Sequence, residues 1–209
     1  MLESNGTPML GHLINRLKQV KLIDKIILAT TNNPQDDILC DFATANGIFF
    51  FRGDELNVMK RVLDAGNTFN AKTIVEITGD CPIIDPFIVK QVIETFNINN
   101  VDFVNNNSLQ SYPDGMDTRV FSLKALEKSY SLTNNKLDYE HVTLHMKNNP
   151  EIFKTINLIA PNDLYWPELA LTLDEIADYK LIDLIIRNLY DEDPFFGCKK
   201  ILKFLKIFL

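Results

Sequence analysis

Residues 73–86 constrain this chain most, and they read T-I-V-E-I-T-G-D-C-P-I-I-D-P. The β-branched start, residues 73–77, reads as a buried strand. Thr78-Gly79 stops it, Asp80 follows at once, and Cys81-Pro82 bends the chain. Pro86 then sits where a new helix would begin. A carboxylate therefore stands at the carboxyl end of a strand, the edge at which open α/β sheets bind ligands. The same aspartate could do no more than hold a turn or cap a helix.

The flanking pattern alternates. Apolar periodicity predicts helices over residues 9–20, 34–46, 55–70 and 86–96, with Thr7-Pro8 as the first helix start and Gly47 as a helix stop. Strands are predicted at 25–30 and 48–51, besides 73–77. Such alternation requires parallel strands joined by crossover helices. It begins on a helix rather than a strand. Beyond Asn97 the texture changes. Short strands are expected at 102–105, 116–121, 154–159 and 170–173, and a helix over 122–131 capped by Ser122. Further helices are expected from an Asp138 cap to 148, from Asp174 to 190, and over 194–209 with Lys199, Lys200, Lys203 and Lys206 on one face. The reading is one domain over 1–209, more irregular between 106 and 160. The repeated asparagines look compositional.

Composition narrows the partners. At 209 residues and 46% hydrophobic content, the chain can bury one sizeable core. A net charge of −7, with no lysine- or arginine-dense face, argues against nucleic acid. Cys40, Cys81 and Cys198 are widely spaced and odd in number, which points to a reducing, cytoplasmic compartment. No basic segment followed by an apolar one opens the chain, so no signal peptide is expected, and no apolar run approaches the ~18 residues of a membrane span.

The chemistry on offer centres on two carboxylates, Asp80 and Asp174, each following a predicted strand. Converging carboxylates repel unless a cation joins them, and Mg²⁺ suits one or two carboxylates plus phosphate oxygens. Leu-Asp-Glu ahead of an apolar-periodic run also makes Asp174 a plain helix cap. His141 and His145 sit at i and i+4 but lack the glutamate of H-E-x-x-H, so a polar helix face accounts for them better than zinc. Cys81 has no histidine near it in sequence and reads as a buried thiol. Neither G-x-G-x-x-G nor G-x-x-x-x-G-K-[ST] is present.

Several blocks then fall in a recognisable order: Asn5-Gly6-Thr7-Pro8-Met9-Leu10, Ala29-Thr30-Thr31, Phe51-Arg52-Gly53-Asp54-Glu55, T-G-D-C-P-I-I-D-P over 78–86, Tyr112-Pro113-Asp114-Gly115-Met116-Asp117, Glu140-His141-Val142-Thr143 and Leu171-Thr172-Leu173-Asp174. Together they resemble the cytidylyltransferase family that activates acidic sugars as CMP-sugars, and most nearly its spore-coat-polysaccharide biosynthesis branch. The resemblance covers residues 5–196 or so. It implies a Rossmann-like three-layer α/β/α fold with a mostly parallel sheet, of the nucleotide-diphospho-sugar transferase type. It implies CTP and a sugar as substrates, Mg²⁺ at Asp80 and Asp174, and a homodimer with contacts from residues beyond Asn105. By the same resemblance Ala29, Thr30, Thr31, Arg52 and Gly79 belong to the nucleotide side. Tyr112, Asp114, Gly115, Asp117, Glu140, His141 and Thr143 belong to the sugar side.

The departures are as informative. The family opens with a strand and a basic loop of the form A-R-M-G-S-x-R-L-P-G-K, which holds the triphosphate; neither is in this sequence. The absent strand lies between those read at 25–30 and 73–77, so the expected sheet lacks its first strand. A chain short by about twenty residues of a functional enzyme is one expectation. Others are an inactive member kept as a binding or assembly module, and a sugar-nucleotide-dependent glycosyltransferase, against which the lack of Asp-x-Asp counts. Lys60 and Arg119 stand where the family usually has acidic residues.

Overall fold

The computed structural model describes residues 2–208. β1 (Glu3–Ser4) and β2 (Thr7–Pro8) form a hairpin. Its turn, Asn5-Gly6, has φ of 47° and 71°, the left-handed pair that matches hairpin twist. Thr7 therefore pairs in β2, and Pro8 caps α1 (Met9–Leu17) through its backbone alone. α1 stops short of the predicted end, and residues 18–20 close it with tighter turns. β3 (Ile27–Thr31) follows, then a 3₁₀ turn (Pro34–Asp36) leading into α2 (Asp37–Ala45). β4 (Phe49–Gly53), α3 (Val58–Thr68), β5 (Thr73–Glu76) and α4 (Pro86–Ile98) complete the first half. The second half holds β6 (Phe103–Asn105), β7 (Arg119–Ser122), α5 (Leu123–Leu132), α6 (Lys136–Glu140), α7 (Leu144–Asn148), β8 (Thr155–Asn157), α8 (Ile176–Leu189) and α9 (Cys198–Phe208).

Four expectations need correction. The helix predicted from Asp138 to 148 is two helices, α6 and α7, broken at Val142, which takes φ 44°. Asn135, not Asp138, caps α6 by accepting from Leu137 N; Asp138 instead accepts from Thr133 Oγ1 at 2.5 Å. Residues 170–173 form no strand. They make one parallel bridge, Ala170 with Asp114, because their backbone groups divide between two partners instead of following one. Asp174 does not cap α8: Glu175 does, with Asp178 Oδ2 accepting from both Asp174 N (3.1 Å) and Glu175 N (2.7 Å). The predicted helix end at Leu209 lies outside the described residues.

Strand pairing gives a parallel β3–β4 pair and a separate sheet of order β5-β7-β6-β8. In that sheet β6 and β8 are parallel, and β7 runs against both of its neighbours. Among the described residues β3 and β5 share no pairing, so the sheet is interrupted where the sequence reading lacks a strand. The facing side chains of Ile27, Leu28, Ile74 and Val75 stay only half-buried.

Alternation along the strands sends side chains to opposite faces. Val104 and Val120 meet Leu13 and Leu17 of α1 and Val89 and Val92 of α4. Phe103 and Phe121 point the other way, to Met59 of α3 and Leu126 of α5. A third cluster joins α8 and α9 to Ile83, Met116 and Leu171, and so carries the C-terminal elements onto the 73–86 stretch. α9 is amphipathic as expected: Ile201, Leu202 and Leu205 are buried while Lys199, Lys203 and Lys206 face solvent.

Arg16 locks this last junction. Its guanidinium is 1% exposed, donates to Phe196 O (2.8 Å) and Ile84 O (3.3 Å), and lies 4.2 Å from the Phe196 ring centroid. Burial lowers its pKa to about 10, still charged at neutral pH. Asp85 adds a second tie, accepting from Phe87 N at the start of α4 and from Cys198 N at the start of α9, both at 2.8 Å. Replacing Arg16 with Ala strands two buried carbonyls, so Arg16→Ala should cost about 3 kcal/mol in urea unfolding. Amide exchange should rise first in residues 194–205.

Candidate active site

Asp80 follows β5 within a turn, with Cys81 N donating to Thr78 O. Helix capping nearby falls to Asp85, and the described contact of the Asp80 carboxylate is a long one from Cys81 Sγ at 3.4 Å. Neither bland role accounts for it. The Cys81 thiol is buried and its pKa is pushed far up, first by desolvation and then by Asp80, so it is no nucleophile.

Asp174 reaches Asp80 through backbone. Leu173 N donates to Asp80 O at 2.8 Å, and two residues earlier Leu171 N donates to Asp114 O at 2.9 Å. Asp114 N returns a bond to Leu169 O at 2.9 Å. One segment, 169–174, thus stitches the turn at Asp80 to the loop at Asp114. Gly115 permits the approach. It has φ 89°, and a Cβ there would lie 2.6 Å from Leu171 O.

Asp80, Asp114 and Asp117 share one electrostatic neighbourhood. The pKa of Asp117 is raised by burial, opposed by Arg119 and the Asn107 hydrogen bond, and raised again by Asp114 and Asp80. Beside them opens a polar cavity of about 250 Å³. Tyr112, Asp114 and Asp117 line it, together with Asn106, Asn107, Gln110 and Ser111. A larger open groove, about 570 Å³ between Phe87, Gln91, Phe195 and Lys199, contains none of the predicted site residues. Chemistry, not size, selects the smaller one.

The asparagine run, read as compositional, builds this cavity. Asn105 ties β6 to β8 through Asn157 (2.7 Å), and its Oδ1 accepts from Asn107 N and Ser108 N. Asn106, 1% exposed, bonds Met116 O and Thr118 N. Asn107 donates to Asp117 Oδ2 at 2.7 Å. Local sequence carries no signal for the partners on other segments, which lie at least ten residues on.

A charged row lies behind it. Strand register aligns Glu76, Arg119, Asn105 and Asn157 across the four strands. Arg119 stands between Asp117 (3.2 Å) and Glu76 (4.0 Å). Glu76 is 13% exposed, and its Oε2 has no hydrogen-bond partner among the described residues. Burial raises its pKa to about 7 against the opposing pull of Arg119.

At the carboxyl end of β3, Asp36 Oδ2 accepts from Thr30 Oγ1 (2.8 Å), Thr31 N (3.1 Å) and Thr31 Oγ1 (2.5 Å), fixing the strand end next to Ala29. Those bonds hold the Asp36 carboxyl below its usual pKa. Arg52 is engaged by Thr31 O, Asn33 O and Asp37, so it braces this loop. Gly79 is exposed beside Asp80 with nothing near the position of a Cβ. Glu140, His141 and Thr143 do not line the cavity; they flank the break between α6 and α7, where Val142 enters the core with Met59 and Met146.

The implied Mg²⁺ can be tested against these residues. The Leu173–Asp80 backbone bond sets residue 174 next to the turn that carries Asp80, and neither carboxylate is paired with a protein cation among the described residues. Carboxylate oxygens of this kind are hard donors that Mg²⁺ accepts alongside water and phosphate oxygens. No group of three or more His, Cys, Asp or Glu suited to a metal occurs among the described residues, so this is not a closed protein cage.

The fold is that of an α/β nucleotidyltransferase. The model of the family described as Cytidylyltransferase matches residues 1–203, and the chain belongs to that family. A cytidylyltransferase from Leptospira borgpetersenii superposes with a TM-score of 0.90 at 30% identity, over 98% of this chain and 85% of that one. An uncharacterized protein of Methanocaldococcus jannaschii is 34% identical, over 87% of this chain and 73% of its own length. The spore coat polysaccharide biosynthesis protein SpsF of Bacillus subtilis is 27% identical, over 86% of this chain and 76% of its own. That match fits the branch suggested by the Tyr112 and Glu140 blocks. A CMP:2-keto-3-deoxy-manno-octonic acid synthetase complexed with CTP shares the fold at a TM-score of 0.65 and 14% identity, over 90% of each chain.

Two outcomes follow from the geometry. Gly115→Ala should lose about 2–4 kcal/mol in denaturant unfolding, from the positive φ and the clash with the Leu171 carbonyl. Glu76 has a folded pKa above its unfolded value, so its contribution is fully present below about 4.5 and is lost as pH rises through about 7. Stability should therefore fall between pH 5 and 8 by on the order of 3 kcal/mol from this group. Glu76→Gln should flatten most of that slope in urea melts.

Proposed function

We propose that this chain transfers CMP from CTP to a sugar hydroxyl, releasing pyrophosphate, in the synthesis of a surface polysaccharide or related glycan. The observation that supports the reading is the Leu173–Asp80 backbone bond, which joins the segment before Asp174 to the turn that carries Asp80. In nucleotidyl transfer the sugar oxygen attacks the α-phosphorus in line with the departing pyrophosphate. Such a reaction needs positioning and charge neutralisation more than covalent help. Mg²⁺, held by Asp80 and Asp174, would neutralise phosphate charge. The residues 29–31, fixed by Asp36, border the nucleotide, and Tyr112, Asp114 and Asp117 the sugar.

The cytoplasm suits this chemistry. Cys40, Cys81 and Cys198 are free and buried, which supports a reducing compartment. No helix among the described residues is long and apolar enough to cross a membrane. A homodimer belongs to the same proposal, supported by the exposed apolar side chains of Leu109, Leu132 and Leu137 beyond Asn105.

Pyrophosphate release from CTP in Mg²⁺ with a panel of sugars tests the reading, alongside isothermal titration of CTP. Asp80→Asn and Asp174→Asn should each lower kcat by roughly 100-fold or more while the fold, followed by circular dichroism, is retained. Unchanged turnover in Asp80→Asn, or no heat from CTP with Mg²⁺, would sink it.

A further inference from the structure

We infer that Glu76 and Arg119 act as one positioning unit: a cross-strand ion pair, exchangeable in sense, that holds the Asp117 carboxylate and ties it to the strand leading to Asp80. That Asp117 serves a substrate rests on the cytidylyltransferase reading; the pairing itself does not. Glu76 ends β5, and the register sets it directly opposite Arg119 of β7 on one face of the sheet. Side chains so placed stand about 5 Å apart at Cβ and interact as a pair.

One guanidinium serves two acids. Arg119 Nη2 donates to Asp117 Oδ2 at 3.2 Å, and Arg119 Nη1 lies 4.0 Å from Glu76 Oε2. The three side chains are 19%, 20% and 13% exposed, so none of these charges is left to water. Among the described residues Arg119 is the charge that acts on Glu76, and it is the strongest pull against burial at Asp117. Glu76 Oε2 has no hydrogen-bond partner among the described residues, so its tie to Arg119 is one of charge and not of fixed geometry.

Arg119 is also a departure, standing where the family usually has an acid. An acid there would gather three carboxylates, with Glu76 and Asp117, on one half-buried face, and like charges directly opposite each other are destabilising. Position 76 would then have to carry the cation, so the two positions change together. A tie of charge asks for no particular donor geometry, and facing partners on one side of a sheet enter the same space. A guanidinium from either strand can therefore serve Asp117. β5 leads into the turn at Asp80, and Asp117 leads into β7, so the pair fixes Asp117 against the strand that ends at that turn.

A charge-swap cycle on the whole chain, free of CTP and sugar, tests this in urea at pH 8, above the Glu76 midpoint of about 7. Glu76→Arg and Arg119→Glu should each lower the folded-to-unfolded ratio at least roughly tenfold, and the double variant should recover all but roughly threefold. Carboxyl-carbon NMR of aspartate-labelled chain, over a pH series, reads the positioning. Arg119→Glu should move the Asp117 titration midpoint upward, and the double variant should return it to the wild-type position, a recovery that a merely structural pair would not give. If Arg119→Glu fails to fold, Arg119→Gln supplies the midpoint and a folded double variant supplies the rescue. Losses that simply add in the double variant overturn the inference, and so does an Asp117 midpoint that stays high there. The CTP titration is read separately: its failure removes the substrate role of Asp117 and leaves the pair standing.

Discussion

The site depends on a single backbone hydrogen bond, Leu173 N to Asp80 O, and on the glycine that lets its segment come close. Residues 169–174 lack a strand's regular ladder. Their donors and acceptors alternate between Asp114 and Asp80, so the segment works as a strap across two loops. Buried backbone groups need partners, and here the partners join the loop at Asp114 to the turn at Asp80. The strap lies close to the 114–116 turn because Gly115 has no side chain. From behind, Asp85 and Arg16 hold residues 84–86 to the C-terminal segment, so Asp80 is fixed on both sides.

Across the sheet, the apolar row Ile74–Phe121–Phe103 gives way after two residues to the polar row Glu76–Arg119–Asn105–Asn157. Both rows face α3 and α5, and the change from apolar to polar marks where core ends and site begins. Burying one arginine between two acids is costly unless all three are bonded. Asp117 is satisfied by Asn107 as well as Arg119, whereas Glu76 Oε2 is not hydrogen-bonded, and its raised pKa is the consequence. The row therefore stores an unfavourable burial next to the cavity, in exchange for a rigid Asp117.

Much of this was legible in the sequence where the signal was local. The strand ending ahead of Asp80, the helix starts at Asp85-Pro86 and Ser122, and the α/β class all rest on residues within a few positions of one another. The interrupted sheet between β3 and β5 was legible too, because the family that the sequence resembles has a strand there which this sequence lacks. What failed depended on distant partners. Asp174 looked like a cap because Leu-Asp-Glu fits one, and the cap moved one residue on when Asp178 turned back to the backbone of both. Asp138 lost its cap role to Asn135 once Thr133 claimed its carboxylate. The asparagines at 105–107 looked compositional because each partner lies on another segment. The 250 Å³ cavity formed from those bonds has no local signature at all.

The arginines near the site set a last constraint. Arg52 is held by Thr31 O, Asn33 O and Asp37, Arg61 by Asp54 O, and Arg119 by Asp117 and Glu76. Each braces a loop or a strand. Asp80, Asp114 and Asp117 share one electrostatic neighbourhood with Arg119 as its cation, so that neighbourhood is negative before any nucleotide arrives. A triphosphate adds several more negative charges, and phosphate chemistry at such a place proceeds only when counter-charge accompanies the substrate. On the proposed function, a divalent cation carried at Asp80 and Asp174 supplies it. The two aspartates thus do opposite work from Asp114 and Asp117. On that proposal one pair, left without protein cations, would recruit a metal to the phosphates, while the other pair, braced by Asn107, Gly115 and Arg119, would border the sugar.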